Sequence, residues 1–449
     1  MFFFDFSIDK SIFAKNLKAM KRKIYDQLVE WKNKPDRMPL IVNGARQVGK
    51  SYIIQEFGRQ EFDSYIMVNL ETDRALVKKF DEDITPLPII QYLEMAHSQR
   101  IVSGKTLIVF DEIQACERAM TSLKYFCEQA PEYHVVAAGS LLGVAVNRSK
   151  YSFPVGKVDE ITMFPMDFEE FLWALGRENF ALAIRKHYAS NEQLDVHSMA
   201  IDFYDKYLIT GGMPAAVREF VATNSFVAVA DIQNRILNEY IADMAKYAEP
   251  AVSIKIRACY ESIPTQLAKE NRKFQYSVVQ RGGSATIFGE SIEWLKYAGV
   301  VLKCQKITQG VMPVKAYVDL SDFKLYMSDT GMLTMQSGFP VQAILSPLET
   351  NNSFIGAIAE NYVAQALSAN RIPLLYWKND NTAEVDFVIQ KGVDVIPIEV
   401  KSGIRVRSKS LGMFMEKYKC PYAIRISKKN FGFENGIQSI PLYAVFCIE

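Results

Sequence analysis

Three groups of residues in this 449-residue chain have the types and spacing to do chemistry. The first is Gly44-Ala45-Arg46-Gln47-Val48-Gly49-Lys50-Ser51, of the form G-x-x-x-x-G-K-[ST]. Its glycines let backbone N–H groups turn toward phosphate oxygens, and a helix starting at the lysine favours the same negative charge. Lys50 is expected to reach the β- and γ-phosphates of ATP, and the Ser51 hydroxyl to ligate Mg²⁺. The nucleotide-contacting set runs from Gly44 through Tyr52. The second group is Asp111-Glu112, at the end of the apolar run "TLIVF". Asp111 suits a Mg²⁺ contact, and Glu112 suits orienting and deprotonating an attacking water. Ser140, at the end of "YHVVAAGS", suits a polar touch on the γ-phosphate or that water. The third group is Glu384, Asp386, Glu399 and Lys401. Glu399 and Lys401 share one face of a strand, where charge is costly unless paired or metal-bound.

Elements that hold these groups follow from the pattern. Residues 20–60 read helix, loop, strand, loop, helix, with Ile24, Leu28 and Trp31 at helical spacing. "MPLIVNG" is a short buried strand before the glycine loop. Apolar runs recur at 65–70, 105–113 and 133–142, separated by helical stretches such as 117–130. That alternation predicts a mostly parallel α/β sheet. After about residue 165 the chain turns helical and aromatic-rich, then carries short strands near 300–330, then returns to α/β. No repeat or low-complexity segment interrupts it.

Bulk numbers narrow the classes. The length predicts two to four domains. A hydrophobic fraction of 49% and a charged fraction of 23% are ordinary for a globular protein. Net charge is +1, so no global field advertises nucleic acid or membrane. Six scattered cysteines, none as C-x-x-C, fit reduced thiols and a cytoplasmic setting. The four histidines have no metal-like spacing. "MFFFDFSIDK" lacks a basic leader and is broken by Asp5 and Asp9, so no signal segment is expected. No run of about 18 apolar residues occurs, so no membrane partner is expected.

"GARQVGKS", "VFDEIQ", "AAGSLLG", "ITMFPMDFEEFL", "KYLITGGMPAAV" and "LYMSDTGML" together resemble a family of bacterial and archaeal AAA+-type ATPases. Its members carry a C-terminal domain of unknown function. The resemblance runs from Met20 onward and leaves 1–19 as an N-terminal extension. It implies a P-loop ATPase core at 20–165, a helical lid at 166–245, a winged-helix domain at 246–345 and a last domain at 346–449. Where the family often has Gly-Arg, this chain has Gly156-Lys157, and lysine lacks the planar fork of arginine. Arg46, Arg148 and Arg218 are candidates to stabilise phosphoryl charge, as is an arginine from a partner copy in a homo-oligomer.

In the middle segment, Ile287, Ile292, Leu295 and Ala298 have helical spacing. The helix that a winged helix would present carries Thr286, Glu290, Glu293 and Lys296, which is not a basic face. A structural role is therefore set beside DNA binding. In the last domain a helix holding Glu360, then Asp386, then Glu399-x-Lys401 resembles the PD-(D/E)xK nuclease fold. That likeness implies Glu360, Asp386 and Glu399 as metal ligands, with Lys401 activating water for phosphodiester cleavage. Basic residues between 401 and 429 suit a phosphate backbone, or simply a solvated face. Two readings stand: an ATPase coupled to a nuclease-like domain near DNA or another nucleic acid, or a nucleotide-gated interaction protein whose last domain only binds.

Overall fold

The computed structural model describes residues 20–140, 154–346, 353–379, 383–403 and 409–449. Residues 1–19, Arg148 and the end of "AAGSLLG" lie outside them.

The N-terminal sheet has five strands: β1 (Leu40–Asn43), β2 (Ser64–Asn69), β3 (Thr106–Asp111), β4 (His134–Ala138) and β5 (Asp159–Thr162). They pair in parallel, in the order β2-β3-β4-β1-β5. Alternation along the strands explains why the runs are apolar throughout. Ile41, Ile108, Phe110, Val135 and Ala137 face a cluster completed by helices Arg74–Glu82, Pro86–His97 and Glu117–Gln129. Leu40, Val42, Leu107, Val109, Val136 and Ala138 face the opposite way, into a core continuous with the rest of the protein. A parallel sheet covered on both faces leaves no polar face to alternate with. The sequence pattern had not marked β5. It is four residues long, lies at the sheet edge, and leaves Glu160 and Thr162 exposed, so its apolar signal is weak.

The stretch after the sheet is helical, and its start is written locally. Asp167 accepts from the Glu170 amide while the Glu170 side chain accepts from the Asp167 amide, a capping box that opens helix Phe168–Ala174. Helices Glu178–Ser190, His197–Thr210, Pro214–Thr223 and Phe226–Tyr247 follow. Helices Pro250–Leu267, Tyr276–Val279 and Ala285–Tyr297 then lead to β6 (Val301–Ile307) and β7 (Val318–Met327). One expectation is corrected in helix Ala285–Tyr297. Ile287 is exposed, and Phe288 takes the inward position with Ile292, Trp294 and Leu295.

β6 and β7 pair antiparallel, but they do not end there. β6 also pairs in parallel with β8 (Leu375–Lys378), which pairs with β9 (Glu384–Val385). This four-stranded sheet crosses the boundary expected at 345/346. Pairing partners 70 residues apart leave no mark on local periodicity. The other C-terminal sheet has the order β10-β11-β12-β14-β13, with β10 at Phe387–Lys391, β11 at Asp394–Val400, β12 at Ala423–Ser427, β13 at Gly432–Glu434 and β14 at Ile437–Pro441. Helix Ser353–Ala369 packs against β7, β6 and β11 and joins the two sheets. Among the described residues no helix is long and apolar enough to cross a membrane.

Candidate nucleotide site and a charged C-terminal cluster

The glycine loop leaves β1 and enters helix Lys50–Glu61. Two glycines are required by geometry. Gly44 has φ +145°, and a Cβ there would lie 2.3 Å from the Met163 carbonyl oxygen. Gly49, at φ +96°, is the left-handed residue just before the helix. The loop is held from behind by Arg22, which is buried. Its guanidinium donates to the Val48 carbonyl at 2.8 Å, the Phe164 carbonyl at 2.7 Å and Glu170 Oε1 at 3.1 Å. Sequence reasoning missed Arg22. A basic residue just before an amphipathic helix looks solvated until the fold buries it.

Lys50 Nζ donates to the carbonyls of Gly44 and Ala45, each at 2.8 Å. Burial pulls this ammonium down to about 8, against Glu112 and Asp111, which favour its charge, and Arg46, which opposes it. Ser51 Oγ donates to Asp111 Oδ2 at 2.8 Å, joining two residues 60 apart. Burial pushes the Asp111 carboxyl upward, partly offset by the Ser51 bond. Glu112 sits at φ +50°, an uncommon conformation for glutamate. Its amide bonds Asp111 Oδ1 at 3.1 Å, and its carboxylate accepts from Gln114 Nε2 at 2.5 Å. Gln114 is a second residue that sequence reasoning passed over.

Ser140 is buried beyond the end of β4, the strand between β1 and β3. It lines a small crevice with Arg46, Tyr240, Asp243 and Trp294. Arg46 is ion-paired with Asp243, and Gln47 bonds Glu239, both on helix Phe226–Tyr247. Tyr240 Oη donates to the Arg46 carbonyl at 3.2 Å. The loop is thus tied to the helical segment by residues between its two glycines. Tyr52 is exposed, Arg218 is exposed on helix Pro214–Thr223, and Lys157 points to Glu128 at 3.0 Å. Gly299 follows helix Ala285–Tyr297, and a Cβ there would lie 3.1 Å from the Ala45 amide. A cavity of about 370 Å³ opens at this junction, lined by Gly44, Met163, Lys296, Gly299, Lys303 and Arg371 among others.

The C-terminal residues come near one another, but not as a metal cage. Glu360 is 1% exposed, and its carboxylate accepts from Lys324 Nζ at 3.0 Å and Tyr326 Oη at 2.5 Å. It is also ion-paired with Arg272. Lys324 reaches Glu384 at 2.6 Å, and Glu384 reaches Lys378 at 3.0 Å. Asp386 lies where the chain leaves β9 for β10, and its Oδ2 accepts from the Val400 amide at 2.8 Å. Glu399 and Lys401 are ion-paired at 2.5 Å. Burial pulls Lys401 down, but Glu399 and Asp386 more than offset this and hold it above its usual value. Among the described residues no group of three His, Cys, Asp or Glu side chains is disposed to hold a metal. Arg272, Lys324 and Tyr326 were not anticipated. The clue was present: a lysine inside the apolar strand "FKLYM" raises the same question as Glu399 does in its own strand. The basic stretch is divided. Lys428 pairs with Asp205 at 2.9 Å and Lys417 lies over the Trp377 ring, while Arg405 and Arg407 are outside the described residues.

Comparison with known proteins agrees with the first site. A family described as an AAA domain matches residues 36–172. Two families described as domains of unknown function, DUF8612 and DUF4143, match 201–343 and 355–445. An uncharacterized protein of Methanocaldococcus jannaschii is 23% identical over 224 residues, 50% of this chain. The chain spans 44% of that relative's length. The Walker-type ATPase of Pyrococcus abyssi resembles 71% of this chain and 95% of its own, at 14% identity and TM-score 0.45. The ORC2 protein of Aeropyrum pernix resembles 78% of this chain and 98% of its own, at 11% identity and TM-score 0.37. The parallel sheet, the glycine loop and the family match agree in giving residues 36–172 the fold of an AAA-type P-loop domain.

Proposed function

We propose that this chain is a Mg²⁺-dependent ATPase whose nucleotide state is passed to the segments that follow. The Ser51–Asp111 contact carries the reading, because it aligns a loop hydroxyl with a strand-end carboxylate beside Lys50. These oxygens suit a hard cation, and Ser51 and Asp111 would hold Mg²⁺, which when bound neutralises phosphate charge. Lys50 moves from the Gly44 and Ala45 carbonyls to the β- and γ-phosphates. Glu112, steadied by Gln114, accepts the proton of a water that attacks the γ-phosphorus. The β–γ bridging oxygen leaves with ADP. Ser140 borders the same crevice as Arg46 and can report on the loop. An arginine from a second copy would complete the charge stabilisation, which makes a homo-oligomer the assembly to test. Lys50→Ala should abolish ATP binding, whereas Glu112→Gln should keep binding and lose turnover. Normal hydrolysis by Glu112→Gln would remove Glu112 from the mechanism.

For the rest of the chain, the favoured reading is a domain that binds rather than cleaves. A winged-helix origin for the middle segment and a nuclease-like origin for the last one remain part of this proposal. The pairing of Glu360 with Lys324 and Arg272 favours binding over cleavage. DNA or another nucleic acid is the partner class suggested by the basic residues of 409–429. Incubation of plasmid DNA with the protein and Mg²⁺ or Mn²⁺ decides. Cleavage lost in Asp386→Ala would restore the nuclease reading.

A further inference from the structure

We infer that Lys324 and Arg272 occupy the charge role of a divalent cation at Glu360, so that the C-terminal cluster is held metal-free by two side chains from the preceding segment. The inference rests on the nuclease-like reading of that cluster and leaves the ATPase reading untouched.

The argument is one of charge and place. Among the described residues four carboxylates meet here: Glu360, Glu384, Asp386 and Glu399. Four cations meet them: Arg272, Lys324, Lys378 and Lys401. A divalent ion added to this set would leave an uncompensated double charge in a buried place. Lys324 is the decisive residue. It is 1% exposed, in the middle of β7, and its ammonium bridges Glu360 and Glu384 at 3.0 and 2.6 Å. It therefore ties Glu360, one of the acids expected to hold a metal, to Glu384, two residues before Asp386. Strand pairing of β7 with β6 fixes where its backbone lies. Tyr326, two residues on, points to the same face and adds its hydroxyl to Glu360.

Arg272 is different. It follows helix Pro250–Leu267 on a loop, retains 21% side-chain exposure, and enters beside Gly356. It is the removable half of the lock. Both cations come from residues before 346, so the acidic cluster around Glu360 is balanced only while the last segment packs on the middle one. Separating the two would strand a buried carboxylate and a buried ammonium at once. The same contact thus excludes metal and couples the two segments.

The test is Mn²⁺ titration of the full chain without nucleotide, followed by calorimetry and electron paramagnetic resonance. Asp111→Asn is present in every sample to silence the loop site. The protein with intact Lys324 and Arg272 should take up no Mn²⁺ that depends on Asp386 or Glu399. The Arg272→Gln/Lys324→Met variant should bind Mn²⁺ at least about tenfold tighter, and Asp386→Asn or Glu399→Gln should abolish the gain. If that variant does not fold by circular dichroism, Arg272→Gln alone must show a smaller gain of the same dependence. Two results overturn the inference: Mn²⁺ binding with both cations intact that Asp386→Asn removes, or folded cation-free variants that gain none. DNA cleavage plays no part in the readout, so failure here is distinct from failure of the nuclease-like or ATPase readings.

Discussion

Asp329 Oδ2 accepts a hydrogen bond from the backbone N–H of Gly212 at 2.6 Å, across 117 residues of sequence. Its other oxygen caps helix Thr330–Gln336 through the Met332 amide at 3.0 Å. Around this pair, Tyr207 donates to the Met166 carbonyl at 2.6 Å, and Gln365 donates to Tyr207 at 2.9 Å and accepts from Thr330. The stretch that leaves β5, helix His197–Thr210, the end of β7 and helix Ser353–Ala369 therefore meet at one buried polar junction. Fully satisfied networks of this kind specify a single arrangement.

The junction is too tight for side chains at its glycines. A Cβ on Gly212 would lie 1.9 Å from the Met166 carbonyl oxygen. Gly212→Ala should cost about 3 kcal/mol or more, since backbone must move to admit it. Chemical denaturation measures this; a change under about 1 kcal/mol would mean the junction is plastic.

Two buried groups should pull stability in opposite directions with pH. Burial raises Asp329 to about 6 from 3.8, so the folded state holds its proton longer and stability falls as pH rises between about 4 and 6. Burial and nearby Arg37 lower His134 to about 4 from 6.5, so its contribution rises with pH over almost the same window. These two contributions offset each other there. His134→Gln should unmask a downward slope and Asp329→Asn an upward one, read from urea midpoints at several pH values. Parallel slopes in the two variants would refute the assignment.

ATP affinity should weaken above pH 8. Lys50 must be charged to meet phosphate, and in the folded protein burial brings it to about 8. Above that pH each binding event takes up a proton, and affinity falls by up to about tenfold per pH unit. Calorimetry in buffers of different ionisation heat detects the uptake. Constant affinity from about pH 7 to 9.5 would show that Lys50 stays charged.

The Arg46–Asp243 pair should couple nucleotide to the helical segment. Arg46→Gln and Asp243→Asn should each weaken ATP binding less than about tenfold, with a coupling of about 1 kcal/mol in the double-variant cycle. Additive effects would show that the pair does not couple nucleotide to the helical segment.

Local chemistry alone was enough to pick out the glycine loop and the acidic strand end. The loop needs glycine at Gly44 and Gly49, and Asp111 closes an apolar strand, so both leave marks in consecutive residues. The parallel sheet followed for the same reason: strands buried on both faces are apolar at every position. Tertiary structure decided what surrounds those residues. Arg22 and Asp243 acquire their roles only when distant elements close on them. The contrast is sharpest at Glu360. The spacing of Glu360, Asp386, Glu399 and Lys401 fits a metal site, and the sequence offers against it only a lysine inside the apolar strand "FKLYM". Folding brings Lys324 and Arg272 to the same carboxylate, because β7 pairs into the sheet that the last domain completes. A motif records which charges a segment offers; only the fold determines which opposite charges arrive to meet them.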